Sequence, residues 1–151
     1  MKNKFVFAFF AVMLLGSLAV GGLLTGCGTT DGNGDGNGDQ TGVFEDISAS
    51  EAYSLVQDHM MSPSFVIIDV RTADEYNAEH LDGAINIDFY ASDFEARLDM
   101  LDKSKVYLLY CRSSNRSGQA MDTMEDLGFV EVYNMTGGIQ AWKDAGYSTV
   151  N

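Results

Sequence analysis

The chain has 151 residues, a length suited to one ordinary domain, and its 22 acidic against 9 basic residues give a formal charge of −13. That balance argues against nucleic acid as a partner, because a polyanion is repelled, and keeps the chain off anionic lipid headgroups. Two cysteines, Cys27 and Cys111, are too few for a disulfide framework.

The chain opens as a targeting segment. Lys2 and Lys4 precede an almost wholly apolar run from Phe5 to Leu24, the layout of a bacterial export signal. The run ends in Leu24-Thr25-Gly26-Cys27, which resembles the lipobox of bacterial lipoproteins. The resemblance implies a signal peptide over residues 1–26 and a lipid on Cys27. It also implies a domain outside the cytoplasm, held to a bacterial membrane by that lipid. Roughly 20 apolar residues can also span a bilayer uncleaved, so an uncleaved anchor is the competing reading. If Cys27 carries lipid, Cys111 stands alone. A lone thiol in an oxidising compartment is buried and inert, paired with a partner, or reactive.

Residues 27–42 are rich in Gly, Asp and Asn and contain nothing that could bury apolar surface, so a flexible tether is expected. Its reach is on the order of 20 Å. Asp31 to Gly36 matches the start of a calcium loop, but Gly42 stands where the loop needs a bidentate Glu.

Residues 43–151 form the expected domain, long enough to bury roughly two-thirds of its unfolded surface. Val43 to Ile47 reads as a strand, and Ser48-x-x-Glu51 as a capping box starting a helix to about Asp58. The chain turns at Pro63 into Phe65 to Ile68, a continuous apolar run that predicts a buried parallel strand. Thr72-x-x-Glu75 caps a short helix. Ala84 to Ile87 is a strand, and Ser92-x-x-Glu95 is expected to cap a helix to about Leu101. Val106 to Tyr110 is the second fully apolar strand. Ser117 to Leu127 is helical and stops at Gly128. Val130 to Tyr133 is a strand, and Ile139 to Ala145 a last helix ending at Gly146. Such alternation predicts an α/β fold, an open parallel sheet with helices on both faces, with ligands beyond the carboxyl ends of the strands.

Cys111 follows the Val106–Tyr110 strand directly, and Ser117 opens the next helix. The loop between them is Cys111-Arg112-Ser113-Ser114-Asn115-Arg116. Small and polar residues at a strand-to-helix junction can curl so that their N–H groups converge on an anion, aided by the helix N-terminus. A thiol at such a nest ionises more easily than a free one, whose pKa is about 8.5. Arg112 and Arg116 add positive charge where a strongly acidic chain has little to spare. A core cysteine has no use for such surroundings, so Cys111 is the candidate nucleophile.

The loop resembles the active-site loop of rhodanese-like sulfurtransferases, where Cys-Arg-Ser-Gly-Asn-Arg-Ser is a common form. Ile68-Asp69-Val70-Arg71 with Glu75-Tyr76 is similar to the family's Asp-Val-Arg strand end. His80 to Ile87 is similar to its His-Ile-Pro-Gly-Ala-x-Asn-Ile segment. Gly128-Phe129 and Thr136 to Trp142 match its C-terminal pattern. The resemblance implies a five-stranded parallel sheet and a single-domain sulfurtransferase. Two positions depart from it. Asp82 stands where proline is usual, which predicts a less rigid turn. Ser114 stands where glycine is common, although serine tolerates positive φ poorly. The neighbouring Asn115 tolerates the left-handed region better.

Loop length separates two chemistries. Phosphatases with a cysteine nucleophile use Cys-x5-Arg, whereas Cys111 and Arg116 are spaced Cys-x4-Arg, with Ser117 at the phosphatase position. The shorter loop suits sulfur transfer. The expected reaction is double displacement through a Cys111 persulfide, with amides of Arg112, Ser113, Ser114, Asn115 and Arg116 holding the anion. The partners are then a small anionic donor such as thiosulfate and a thiol or cyanide acceptor. Arg112 and Arg116 are candidates to hold the donor. For Arg116 a structural pairing with loop carbonyls or Asp69 is equally open. A persulfide carrier without turnover is the alternative function, and a cysteine phosphatase or arsenate reductase is a weaker one. Asp69 and Arg71 read as braces for neighbouring loops. His80 reads as a turn histidine, Trp142 as core, and Phe89 and Tyr90 as either pocket wall or loop contacts. No cluster, His59 included, suggests a metal, and no cofactor is implied.

Overall fold

Phe65–Ile68 and Val106–Tyr110 have no polar side to offer water, and the sheet is built around them. The computed structural model describes residues 42–151; the expected signal peptide, Cys27 and all of the tether but Gly42 lie outside the described residues. The elements in chain order are β1 (Val43–Ile47), α1 (Ala49–His59), β2 (Phe65–Asp69), α2 (Ala73–Ala78), β3 (Ile85–Asn86), α3 (Phe94–Asp99), β4 (Val106–Tyr110), α4 (Asn115–Asp126), β5 (Glu131–Met135) and α5 (Gly138–Asp144). The strands lie in the order β1-β5-β4-β2-β3, and every pairing is parallel. This is the open five-stranded α/β sheet expected from the sequence.

Helices cover both faces. Phe94 and Leu98 of α3, with Ala120 and Met124 of α4, pack on Ile68, Tyr107, Leu109 and Val132. Ala49 and Ala52 of α1, with Ile139 and Trp142 of α5, pack on Ile67, Leu108 and Met135. The alternation of side chains along a strand divides β4 between these two cores. Tyr107, Leu109 and then Cys111 face α3 and α4, while Leu108 and Tyr110 face α1 and α5.

Two of the three expected capping boxes form. Glu51 accepts from the Ser48 N–H at 2.8 Å and Glu75 from the Thr72 N–H at 3.1 Å. Ser92 does not cap α3. The helix starts at Phe94, behind Asp93, whose side chain makes no capping bond. Two successive tight turns explain this: Ala91 N–H donates to Asp88 O and Phe94 N–H to Ala91 O, both at 3.1 Å. The second turn spans Ser92 and Asp93, so the helix begins one residue later than the spacing implies and its N-cap is Asp93. The turn at Asp82 closes without proline, because Gly83 takes φ 77° and Ala84 N–H bonds Leu81 O at 3.0 Å.

The topology opens one crevice. β2 leads into α2, whose Tyr76 packs on the α1/α5 face, whereas β4 leads into α4 on the opposite face. Connections that diverge from two adjacent strands leave a gap beyond their carboxyl ends. Asp69 is in register with Tyr110, so Val70 and Cys111 leave the sheet at one level and Arg71 and Arg112 follow them at that gap.

Tyr110 secures this corner: its hydroxyl accepts from the Leu81 N–H at 3.1 Å, and both residues are buried. Tyr110→Phe leaves that amide without an acceptor. A loss of about 1–3 kcal/mol is expected, read as a lower urea midpoint at unchanged slope.

Candidate active site

Cys111 is 1% exposed, yet it sits in a polar cradle. Ser114 makes the sharp reversal, with φ 76° and ψ −6° in the left-handed region as the N-cap of α4. Serine itself thus takes the conformation that glycine would take freely, at a cost of about 1–2 kcal/mol. Asn115 is not the left-handed residue; it begins α4, two positions earlier than Ser117, the start expected from the sequence. The reversal turns the Ser113, Arg116 and Ser117 amides toward the sulfur. Ser117 is fully buried, and its Oγ lies 3.5 Å from Cys111 Sγ.

Two opposed effects act on the thiol. Burial pushes its pKa up. The Ser117 hydroxyl and the amides of Ser117, Ser113 and Arg116 stabilise the thiolate and outweigh burial, so the thiol is held below its ordinary range. Hydrogen bonds, rather than guanidinium charge, are the cause.

The outward side of the loop is pinned by α5. Ile139 N–H donates to Cys111 O at 2.9 Å and Gln140 N–H to Arg112 O at 3.3 Å. This approach requires Gly138, at φ 57°. A Cβ there would collide with Cys111 O and come within 2.7 Å of the Arg112 carbonyl carbon.

The charged residues resolve into pairs. Asp69 and Arg71 are buried together, with Arg71 Nη2 at 2.6 Å from Asp69 Oδ2 and Nε at 3.0 Å from both oxygens. Arg71 Nη2 also donates to Glu79 O, which ties the end of β2 to the end of α2. Arg116 pairs with neither loop carbonyls nor Asp69. It grips Glu75 with both nitrogens, at 2.8 and 3.0 Å, and lies 5.7 Å from the Tyr90 ring centroid. The Arg116 guanidinium holds the Glu75 carboxyl down at about 2, and Thr72 assists against the opposing effect of burial. Glu75 is the site residue that the sequence did not yield, because its role in the capping box already accounted for it.

Arg112 forms no ion pair among the described residues. It lines a cleft of about 310 Å³ together with Glu75, Glu79, Gln140 and Lys143. Tyr90 stands exposed beside Arg116, whereas Phe89 packs on Phe94. His80 stacks on Tyr76 and its Nδ1 lies 2.9 Å from Tyr76 O. Among the described residues no group of His, Cys, Asp or Glu could hold a metal ion.

Comparison with known proteins gives this geometry a context. The rhodanese-like domain pattern matches residues 49–145. The chain belongs to the rhodanese-like domain family. It is similar to the thiosulfate sulfurtransferase GlpE of Coxiella burnetii, 32% identical over 101 residues that cover 67% of this chain and 89% of that protein. It is also similar to the thiosulfate sulfurtransferase PspE of Escherichia coli, 34% identical over 70 residues, 46% of this chain and 67% of that one. Among solved structures, the rhodanese-like domain of the Anabaena Alr3790 protein matches with TM-score 0.61 and 29% identity, covering 70% of this chain and 78% of that one. The five-stranded parallel sheet with its helices is thus that of the rhodanese-like fold.

The Glu75–Arg116 pair makes stability depend on acid. A carboxylate depressed from 4.5 to about 2 on folding contributes stability above 4.5 and loses it as pH falls toward 2. Glu75→Gln is expected to be less stable than the parent at pH 7, with the difference shrinking through that window. Denaturant titrations at pH 7, 4 and 2.5 measure it.

Proposed function

We propose that this rhodanese-like chain is a thiosulfate-type sulfurtransferase working through a Cys111 persulfide. The observation that carries the reading is the buried Cys111 sulfur, on which amides and the Ser117 hydroxyl converge and whose pKa they hold below the ordinary thiol value. The Cys111 thiolate attacks the outer sulfur of thiosulfate, the sulfur–sulfur bond of the donor breaks, and sulfite leaves with the bonding pair. The resulting persulfide anion keeps the hydrogen bonds that held the thiolate. A thiol or cyanide then takes the outer sulfur and returns Cys111 to the thiolate. Arg112, the guanidinium beside Cys111 that has no carboxylate partner among the described residues, receives the donor's anionic end; Arg116 is engaged by Glu75 and acts as a strut.

A thiosulfate:cyanide assay tests the reading. Cys111→Ala is expected to lose roughly 10³-fold or more of the rate. An unchanged rate would refute the mechanism, and a stable persulfide without turnover would point to sulfur carriage instead.

We further propose export and lipidation at Cys27, on the support of Lys2, Lys4, the apolar run and Leu24-Thr25-Gly26-Cys27. Mass spectrometry of the membrane fraction should find an acylated N-terminal Cys27. An intact Met1 would overturn that assignment.

A further inference from the structure

We infer that the end of the sheet at which the strands begin is a phospholipid-contact surface, seated on the bilayer by Met60, Met61 and Met100, so that Cys111 faces away from the membrane. The inference rests on the proposed lipid anchor at Cys27 and is independent of the sulfur chemistry.

The first observation is placement. Every strand pairing is parallel, so all five strands begin at one end. Phe65 and Val106 open β2 and β4 in register, and Val106 N–H donates to Ser64 O at 2.9 Å. Met60 and Met61 lie in the connection into β2, and Met100 in the connection into β4. They are 63%, 94% and 79% exposed, and among the described residues they are the exposed methionines. None of the three joins either core. One exposed apolar side chain is ordinary, but three flexible thioethers gathered at one end of a sheet make an adaptable apolar surface.

The second observation is where the chain enters. Val43 opens β1 at this same end: its N–H donates to Val130 O at 2.8 Å, and Val130 N–H donates to Lys103 O at 3.2 Å. The 42 residues that precede Val43 therefore join the domain here. The reach expected of residues 27–42 is on the order of 20 Å. β4 alone sets Cys111 roughly 17 Å from this end, at about 3.3 Å per residue. An anchor at Cys27 lets the end with the methionines meet the bilayer directly. The crevice end would meet it only with the tether drawn out along the whole domain.

The third observation is charge. Met60 to Ile68 contains no charged residue, and around the connection into β4 Asp99 and Asp102 are balanced by Lys103 and Lys105. In so acidic a chain these two connections are locally neutral. Asp58 near the end of α1 and Glu125 and Asp126 at the end of α4 are acidic, so the contact is apolar rather than electrostatic, and a zwitterionic surface suits it. Seated this way, the crevice opens toward water. Tyr90 lies at that far end, following Phe89, whose N–H donates to Val70 O just past β2 at 3.1 Å. Cys111 is then presented to water-soluble reactants and held away from molecules dissolved in the bilayer.

The test uses the full chain as exported, reconstituted in phosphatidylcholine vesicles whose acyl chains are either brominated or ordinary. Bromine quenches indole emission only at close range. Met61→Trp and Met100→Trp report on the end where the strands begin, and Tyr90→Trp on the crevice end. The native Trp142 is buried and contributes the same background to all three. Brominated chains are expected to cut the emission of the two methionine variants below the parent's level and to leave Tyr90→Trp at that level. No quenching in either methionine variant, or equal quenching in all three, overturns the surface assignment alone. Emission that shifts to the blue without being quenched means that a second copy covers this end, and it too overturns lipid contact. A chain that does not float with the vesicles lacks the anchor: the lipidation proposal then fails, and the surface assignment with it.

Discussion

A peptide group cannot turn its N–H inward without sending carbonyl oxygens the other way, and the active-site loop depends on that constraint being met on both sides at once. On the inner side the amides of Ser113, Arg116 and Ser117 converge on a nearly inaccessible sulfur. On the outer side the carbonyls of Cys111 and Arg112 need donors, and the first turn of α5 supplies them through Ile139 and Gln140. The two helices therefore act in concert: α4 presents donors to the anion, and α5 occupies the acceptors that would otherwise disfavour the curl. Gly138 is the contact that makes this possible, because any side chain there would meet the Cys111 carbonyl. Removing the α5 contacts would leave the carbonyl of the buried Cys111 unpaired, at a cost on the order of 1–3 kcal/mol.

Positive charge near the thiol is mostly structural. Arg71 joins β2 to the end of α2 through Asp69 and Glu79 O, and Arg116 joins the loop to the start of α2 through Glu75. Short α2 is thus clasped at both ends by guanidinium groups. A buried ion pair contributes little net energy over an apolar packing of the same volume, but losing one partner is costly, because a charge is then left unpaired away from water. Such pairs fix geometry. In a chain with so strong an acidic excess, this arrangement leaves Arg112 as the one guanidinium at the site with no carboxylate partner among the described residues.

The architecture was legible wherever a pattern had a single physical solution. Continuous apolar runs such as Phe65–Ile68 have to be buried on both sides, and they are the central strands. Ser48 and Thr72 cap because the helix that follows leaves the amides three residues on without partners; Ser92 has the same spacing but lies inside a turn closed by Phe94 N–H on Ala91 O, and the helix starts behind Asp93. Local spacing therefore cannot tell a capping box from a coincidence. The Glu75–Arg116 pair links residues 41 positions apart, and no local pattern encodes it. Ser114 lies between these extremes: the missing glycine marked the position as conformationally demanding, but only the coordinates show that serine, not its neighbour, adopts positive φ. Its hydroxyl lies 2.5 Å from the Ser113 carbonyl, a local hydrogen bond that offsets part of the strain.

Loop length bears on the choice between sulfur and phosphate. In the Cys-x5-Arg arrangement a guanidinium would occupy position 117, but here Ser117 is wholly buried beneath the thiol and turned toward its sulfur. A side chain the size of arginine at that position would have to leave the α4 face of the core, and Arg116 points instead to Glu75 across the crevice. A transferring phosphoryl group carries charge on three equatorial oxygens and needs a guanidinium fork to meet it. This cradle offers the sulfur a hydroxyl and amides, and Arg116 is already held through both nitrogens by a carboxylate. Such a site matches a compact anion built directly on the cysteine, one sulfur bonded to another, better than a tetrahedral group clasped from outside.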